Sequence, residues 1–193
     1  MALSIGTKRV KTAVFISGTG SNLKSLIKFS KLKKSPICIE LIISNNPKSR
    51  GLNFGKIYKI RKKFFDFKKQ TITEKKILLY LKKRKINLIC LAGFMKILSK
   101  NFIQNFDGKI LNIHPSLLPK YKGLNTHERA IKNGDIYSGC TVHFVSSKLD
   151  SGKIINQKKV KINKSDTSNS LAKKILAQEH KLYPKAILKI FNL

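Results

Sequence analysis

An amide and an imidazole stand two residues apart at the end of one apolar run. The run KILNIH (109–114) is typical of a strand, so the side chains of Asn112 and His114 share one face. Pro115 follows, lacks an N–H, and ends the hydrogen-bond ladder with His114 at the strand's end. An amide donor beside an imidazole suits the stabilisation of a developing oxyanion. Taken alone, an Asn-x-His pair is more often structural than catalytic.

A second segment with chemical potential lies near the N-terminus. The residues SGTGSN (17–22) overlap the end of the apolar run TAVFISG (12–18) and lead into a stretch with helical spacing. Glycines let backbone N–H groups approach an anion, and the helix N-terminus adds partial positive charge. Leu23 stands where a dinucleotide-binding fingerprint needs a third glycine, and no Gly-Lys-Ser/Thr is present. The segment therefore predicts a site for one phosphate group, with a plain capped turn as the alternative.

Alternating apolar and helical stretches must position these segments. Their order predicts a parallel sheet with helices on both faces. Thr73 is the expected N-cap of the third helix. The expected strands are 12–18, 36–44, 63–67, 87–93 and 109–114, and the expected helices are 21–31, 49–60, 73–85 and 99–106.

The pattern of predicted elements changes in the last third of the chain. Residues 139–145 and 153–162 predict two strands of an antiparallel hairpin that turns at 150–152. A final helix is expected over 167–190, with Pro184 as a point where it could bend.

The pattern as a whole predicts one α/β domain over residues 1–193, with an ordered core at about 11–191. We expect a Rossmann-like, mostly parallel sheet flanked by helices, with the antiparallel hairpin on the C-terminal side. Ligands of open parallel sheets bind outside the carboxyl ends of the strands. This rule directs attention to the segments after Ile16, Leu91 and Ile113.

Longer strings around these positions resemble a known family. NIHPSLLPKYKG (112–123) and LAGFMKIL (91–98) are similar to the folate-dependent formyltransferases. SGTGSN (17–22), GLNTHERAI (123–131) and QEHKLYP (178–184) resemble the glycinamide ribonucleotide branch of that family. The resemblance covers about residues 12–190, and its long central motif is highly specific.

The resemblance implies transfer of a formyl group from 10-formyltetrahydrofolate to the amine of 5'-phosphoribosylglycinamide, a step of purine synthesis. It implies that Asn112, His114 and Asp150 are catalytic, since Asp150 lies in a segment matching the family's Leu-Asp-x-Gly turn. Asn112 and a protonated His114 would stabilise the oxyanion of a tetrahedral intermediate. Asp150 would raise the pKa of His114 and relay a proton, through a water if needed. Without the motif, Asp150 would be interpreted as a hairpin-turn aspartate.

The resemblance also implies three sets of ligand-binding residues. The ribonucleotide phosphate is expected at Gly20, Ser21 and Asn22. The glycinamide part is expected at Leu176, Ala177, Gln178 and Glu179. The folate is expected at Met95, Lys96, Ile97, Leu98, Asn112, Ser146, Ser147, Lys148, Leu149 and Asp150.

No metal is expected, because no set of His, Cys and carboxylate residues has metal-ligand spacing. The other histidines are expected to do less chemistry. His143 and His180 are predicted to be packing or hydrogen-bonding residues, and His127 is predicted to face the loop after the catalytic strand.

The net charge of +32 is the strongest compositional feature. It suits non-specific attraction to phosphates and nucleic acid. Lys is nevertheless spread along the whole chain and greatly outnumbers Arg, which specific nucleic-acid sites prefer. Together with many Ile and Asn, this composition is typical of an A/T-rich genome. We therefore expect small-molecule substrates, no specific nucleic-acid or membrane partner, and a monomer or homodimer.

Three distant cysteines without a CxxC pair indicate reduced thiols rather than disulfides. The N-terminal apolar run is too short for a signal peptide, and no run approaches the length of a membrane span. A cytoplasmic location is therefore expected.

The residues leave two alternatives to consider, a formyltransferase relative with another substrate and a module that only binds nucleic acid. Relatives acting on methionyl-tRNA carry a further C-terminal RNA-binding domain, deformylase relatives carry an extra N-terminal domain, and nucleotide-sugar formyltransferases are normally longer. With 193 residues, this chain is expected to be none of them. A lysine-rich α/β module that only binds nucleic acid would have no need for Asn112, His114 and Asp150.

Overall fold

Seven strands of the described chain form one sheet. A computed structural model describes residues 9–193. The strand order is β3-β2-β1-β4-β5-β6-β7, which places β1 and β4 at the centre. The strands are β1 Val10–Ile16, β2 Ile37–Ser44, β3 Arg61–Phe64, β4 Leu88–Leu91, β5 Lys109–His114, β6 Tyr137–Phe144 and β7 Ile154–Lys161.

The sheet is parallel from β3 to β5 and antiparallel from β5 to β7. The central strands are apolar because helices cover both faces, and all four residues of β4 are buried. The predicted class, a mostly parallel sheet with an antiparallel hairpin on the C-terminal side, is confirmed.

Helices on the two faces enclose two apolar layers. One layer joins the sheet to the first and last helices, for example through Val14, Leu23 and Ile175. The other joins the sheet to the third and fourth helices, through residues such as Phe15 and Phe102. The helices are α1 Ser21–Ser30, α2 Asn53–Ile57, α3 Gln70–Lys83, α4 Lys100–Asn105, α5 Thr126–Lys132 and α6 Ser168–Ile190, and a 3-10 turn at Arg50–Leu52 precedes α2.

Some local predictions differ from the structure. Helix α3 begins at Gln70, so Thr73 is not its N-cap; the Thr73 hydroxyl lies one turn inside and donates to the Asp66 carbonyl at 2.5 Å. The helix expected over 49–60 is a 3-10 turn followed by the five-residue α2. Helix α5 was not predicted, because it is a short segment that buries only Thr126 and Ala130.

The last helix runs to Ile190 with Pro184 inside it. The two strands before it pair as predicted, but a long loop over 145–153 joins them instead of a tight turn. Within residues 9–193, none of the helices combines the length and the apolar composition that a bilayer crossing requires.

Loops from the carboxyl ends of neighbouring strands meet at one edge of the sheet. The Ser17 N–H, after β1, donates to the Gly93 carbonyl, after β4, at 3.0 Å. The Ser17 hydroxyl in turn accepts the Met95 N–H at 2.7 Å. These bonds join the predicted phosphate segment to the segment LAGFMKIL and form one wall of a cavity.

Candidate active site

A cavity of about 850 Å³ lies at this edge of the sheet. It is lined by the loops after β1, β4 and β5, by the loop between β6 and β7, and by one face of α6. Both chemically interesting segments of the sequence therefore open into the same cavity.

The three residues predicted to be catalytic lie together in this cavity. The Asp150 carboxylate is 3.4 Å from His114 Nδ1, and Asn112 Nδ2 is 3.5 Å from Asp150 Oδ1. The side chains of His114 and Asp150 are 7% and 8% exposed. Strand β5 places Asn112 and His114 on one face, and the loop after β6 brings Asp150 to them.

The backbone around Asp150 holds its carboxylate towards the histidine. Asp150 has a φ of 44°, in the left-handed region that Asp adopts more readily than most residues. Its Oδ2 accepts the Gly123 N–H at 2.9 Å. This bond joins the loop after β5 to the loop after β6.

A backbone carbonyl sets the tautomer of His114. His114 Nε2 lies 2.8 Å from the Tyr121 carbonyl oxygen, which can only accept a hydrogen bond. Nε2 therefore carries a proton, and in the neutral ring the lone pair is on Nδ1, facing Asp150.

Asp150 raises the pKa of His114, as predicted, but the net shift of that pKa is downward. Burial lowers the pKa of His114 below its usual range, because it disfavours the imidazolium. The Tyr121 carbonyl and the Asp150 carboxylate raise that pKa, as expected for Asp150, but they only partly offset the burial. The imidazole is thus predominantly neutral near pH 7 in the protein without ligands.

The carboxyl group of Asp150 shifts in the direction that keeps it ionised. Burial alone would raise the pKa of Asp150. Hydrogen bonds from the His143 side chain and the Gly123 N–H, with the charge of His114, outweigh burial and lower it. Asp150 is therefore a carboxylate at neutral pH.

A second histidine belongs to this group. His143 Nε2 lies 3.3 Å from Asn112 Nδ2 and 3.6 Å from Asp150 Oδ1. Its Nδ1 lies 2.8 Å from the Phe144 carbonyl, which can only accept a hydrogen bond, so Nδ1 carries a proton. Sequence analysis treated His143 as a packing or hydrogen-bonding residue and missed this location. The signal lies in the pairing of β6 with β5, which sets His143 opposite Asn112.

The phosphate segment forms the other end of the cavity. Gly20, Ser21 and Asn22 all line it, as predicted. Gly20 has a φ of 76° and sits at the N-cap of α1, where no side chain among the described residues accepts a hydrogen bond from the helix. The first N–H groups of α1 consequently have no capping side chain, which suits an anion.

A buried amide–carboxylate pair joins this end to α6. Asn22 Nδ2 donates to Glu179 Oε2 at 2.6 Å, and both residues are buried. Burial raises the pKa of Glu179, while the bond from Asn22 opposes that rise. Asn22 Oδ1 is buried and has no partner among the described residues.

Only part of the α6 set lies in the cavity. Leu176 and Glu179 line it, but Ala177 and Gln178 do not. Successive residues of a helix are rotated by about 100°, so positions three apart share the face towards the sheet and the two between them point elsewhere. The contact of Ala177 and Gln178 with the glycinamide part stays a prediction, but neither residue lines the cavity.

The expected folate-binding residues line the cavity with one exception. Ser147 is exposed and does not reach it. Among the rest, Met95, Ile97 and Leu149 are large exposed apolar side chains at the cavity mouth. The lining residues of this set are Met95, Lys96, Ile97, Leu98, Asn112, Ser146, Lys148, Leu149 and Asp150.

Sequence reasoning did not assign the loop that leads into α5 to the site. Residues 123–128 line the cavity, and His127, which was predicted to face the loop after the catalytic strand, is among them. Burial, followed by the nearby charge of His114, lowers the pKa of His127. The motif GLNTHERAI covers this loop and was the available signal.

Within the part of the chain that the structure describes, no three His, Cys, Asp or Glu side chains cluster in a way that could hold a metal ion. The absence of a metal from the reaction stays a prediction.

Comparison with known proteins assigns a family to this arrangement. Residues 10–187 match the family model described as formyl transferase. The chain belongs to the formyl transferase family. The family predicted from the motifs is thereby confirmed, and the match extends over nearly all residues that carry the cavity.

Named relatives point to one branch of the formyl transferase family. The chain is 43% identical over 180 residues to the phosphoribosylglycinamide formyltransferase of Haemophilus influenzae, covering 92% of this chain and 85% of that protein. The crystal structure of the phosphoribosylglycinamide formyltransferase from Brucella melitensis superposes with a TM-score of 0.90 at 41% identity, covering 95% and 96% of the two chains.

Other relatives in the formyl transferase family are much longer than this chain. The human trifunctional purine biosynthetic protein adenosine-3 is 41% identical over 187 residues, which cover 95% of this chain but 18% of that protein. The chain thus corresponds to about a fifth of the curated relatives of this kind.

Proposed function

We propose that this protein transfers the formyl group of 10-formyltetrahydrofolate to the amine of 5'-phosphoribosylglycinamide, giving formylglycinamide ribonucleotide and tetrahydrofolate. One observation carries the proposal. A single cavity runs from the uncapped N-terminus of α1 to the group formed by Asn112, His114 and Asp150. A phosphorylated amine bound across it would present its nitrogen to that group. The names of the similar proteins support the same reaction.

The proposed phosphate site is the backbone of Gly20, Ser21 and Asn22. The phosphate would accept the free N–H groups of α1 and lie near the positive end of its dipole. Positive φ at Gly20 lets the backbone curve around the anion, and Gly51 packs against it from behind. The charge of +32 would favour the approach of such a substrate.

The glycinamide part would lie against Leu176 and Glu179. The buried Asn22 Oδ1, which has no partner among the described residues, is an acceptor suited to an amide N–H of the substrate. Glu179 lies beside it and would accept from the substrate amine.

The folate would occupy the apolar mouth of the cavity. Met95, Ile97 and Leu149 offer the flat apolar surface that a pteridine needs, and backbone groups nearby provide polar contacts. The formyl carbon would then lie close to Asn112 and His114.

The chemistry follows from the charges in the site. The amine nitrogen attacks the formyl carbon, and its carbonyl oxygen becomes negatively charged. The Asn112 amide stabilises that oxygen, and the growing negative charge raises the affinity of His114 Nδ1 for a proton. The ionised Asp150 accepts the proton that the attacking nitrogen loses, directly or through a water, and relays it to His114 Nδ1. The carbon–N10 bond then breaks, and this proton passes from His114 to N10 of tetrahydrofolate.

The site is contained within one chain, so it fits both a monomer and a homodimer. The proposed partners are the two small-molecule substrates alone. A role in purine synthesis would place the protein in the cytoplasm.

The test is a coupled measurement on the purified chain. Glycinamide ribonucleotide and 10-formyltetrahydrofolate are mixed with the protein, and tetrahydrofolate release is followed. Turnover is expected for the unchanged protein, and a loss of about a thousandfold or more is expected for His114→Ala. No turnover by the folded protein would overturn the substrate assignment. Methionyl-tRNA and amino-sugar nucleotides would then be tried as acceptors with the same formyl donor.

A further inference from the structure

The Tyr121 carbonyl that fixes the His114 tautomer stands on an unfavourable backbone. Tyr121 has a φ of 54°, in the left-handed region where a residue with a bulky side chain is strained. It is part of the loop after β5, between the cis bond Leu118-Pro119 and α5. Something outside the active-site cavity must keep this residue in place.

The Tyr121 side chain is held by hydrogen bonds to two other side chains. Its hydroxyl donates to Asp135 Oδ2 at 2.9 Å and accepts from Asn133 Nδ2 at 3.0 Å. The Asp135 side chain is 14% exposed and also accepts from Lys120 Nζ at 3.2 Å. A phenol that donates to a carboxylate makes a charge-assisted hydrogen bond, which is stronger than a neutral one.

Arg129 holds the rest of the same loop. Its guanidinium lies 5.0 Å from the centre of the Tyr121 ring. Its Nη1 donates to the Lys122 carbonyl at 2.8 Å and to the Leu124 carbonyl at 3.3 Å. We call Arg129, Asn133 and Asp135 the brace; they come from α5 and the turn that follows it.

Within residues 9–193, no brace residue makes a hydrogen bond to the His114 side chain; its hydrogen-bond partner is the Tyr121 carbonyl. The only hydrogen-bonding route from Asp135 to the ring is the Tyr121 residue itself, from its hydroxyl to its carbonyl. Asp135 and Asn133 therefore bear on the imidazole through the position of one carbonyl oxygen, whereas the charge of Arg129 also lowers the pKa of His114 directly.

We propose that Tyr121 is a positioning residue for the formyl transfer. Anchored by Asp135 and Asn133, it holds its carbonyl against His114 Nε2 and so keeps the lone pair on Nδ1, beside Asp150. If the carbonyl moves away, Nε2–H loses its partner and the alternative neutral tautomer, with Nδ1–H donating to Asp150, becomes competitive. That tautomer blocks the nitrogen that must accept a proton as charge develops.

The test has a readout that needs no substrate. The chain has four histidines, so comparison with His114→Gln assigns the nitrogen NMR signals of His114. The unchanged protein is expected to show the Nε2–H tautomer at neutral pH, and Tyr121→Phe and Asp135→Ala are expected to show a mixture of both. Because the kinetic readout rests on the proposed function, the tautomer signal is what separates failure of this inference from failure of that function.

The kinetic expectation is a selective loss in kcat. Removing one hydrogen bond to the brace should lower kcat about tenfold in Tyr121→Phe, while KM for both substrates stays within about twofold. Asp135→Asn should recover most of the kcat lost in Asp135→Ala, since its amide oxygen still accepts from the phenol. The double variant of Tyr121→Phe and Asp135→Ala should cost little more than either change alone, because both remove the same bond.

Tyr137→Phe is the matched control, since Tyr137 is exposed on β6 and does not line the cavity. It should leave both the tautomer and kcat unchanged. Thermal unfolding of every variant identifies those that simply lose the fold. Folded Tyr121→Phe and Asp135→Ala with the His114 tautomer unaltered would overturn the inference, whether or not the protein turns over glycinamide ribonucleotide.

Discussion

At the Asp150 end of the cavity the polar side chains bond to one another, whereas at the Gly20 end the backbone of α1 stays uncapped. Asp150 is shared by His114, His143 and the Gly123 N–H. At Gly20 no side chain of the described residues caps the helix. The side chains at the Asp150 end hydrogen-bond without a ligand, whereas the uncapped N–H groups at the Gly20 end are suited to an anion.

The contrast shows how a single cavity divides two tasks. Groups that stabilise a transition state gain most when they are oriented before the reaction, because no reorganisation is then needed. A phosphate, by contrast, needs only donors in a fixed array, which a helix N-terminus supplies without side chains. Substitutions at the Asp150 end should therefore act on kcat, and substitutions at the Gly20 end should act on KM.

Asp150→Asn tests the first half of that contrast and should have the largest effect. The amide keeps the shape of the carboxylate but cannot accept a proton, so kcat should fall about a thousandfold or more with KM little changed. Steady-state kinetics with both substrates measure this. Asp107→Asn, at an exposed position before β5, is the matched control and should retain full activity.

A double variant sharpens the same point. If Asp150 and His114 act as a unit, Asp150→Asn combined with His114→Ala should cost about as much as the more harmful single change. Multiplied losses would instead show that the two residues act independently.

Gly20→Ala tests the second half of the contrast. A Cβ at Gly20 would lie 2.8 Å from the Gly51 Cα, and the φ of 76° would be strained for alanine. We expect a stability loss of about 1–3 kcal/mol and a rise of about tenfold or more in KM for the phosphorylated substrate. Gly134→Ala is the control, because Gly134 shares a positive φ of 65° but has open space around it. An equal change in KM for both variants would refute the phosphate assignment.

Asn22→Ala should have a smaller effect of the same kind. Without the Asn22 donor the pKa of Glu179 should rise further, because the bond from Asn22 is what opposes the effect of burial. KM for glycinamide ribonucleotide should increase about fivefold, while KM for the folate stays constant. A fall in kcat with KM unchanged would show that Asn22 acts in catalysis rather than in substrate binding.

The smallest expected effect is on the pH dependence of the free energy of unfolding. Burial lowers the pKa of His114 and His127 below the ordinary value of 6.5. Between that value and the lowered pKa the unfolded chain binds more protons than the folded one. The free energy of unfolding should therefore fall as the pH falls below about 6.5. Glu179 acts with the opposite sign, because its raised pKa makes the folded state hold a proton longer than the unfolded chain.

Urea unfolding at pH 7.5 and 5.5 measures this dependence. His127→Gln should flatten it, since one of the lowered histidines is removed. A steeper dependence in that variant would contradict the role of histidine burial.

Local sequence signals predicted most of the sheet, and the motif resemblance predicted the catalytic role of Asn112, His114 and Asp150. The segments that form β1, β2, β4 and β5 are rich in apolar and β-branched residues, so the sequence indicates their strand character without reference to distant partners. Helix α5 has no such signal, and its role depends on contacts that Arg129, Asn133 and Asp135 make with a loop. The predicted start of α3 was wrong for a related reason. Threonine is a residue type typical of N-caps, but the Thr73 hydroxyl donates to the Asp66 carbonyl instead.

By itself the sequence determined the fold class, through the periodicity of its apolar residues, and the family, through motifs of residues close together in the chain; the resemblance also singled out Asn112, His114 and Asp150 as the predicted catalytic residues. Only the tertiary structure decided that His143 joins them, that Ala177, Gln178 and Ser147 do not line the cavity, and that burial lowers the pKa of His114. Burial, strand register and helix rotation depend on atoms from segments far apart in the chain. The protonation state of a catalytic group depends on all of them at once.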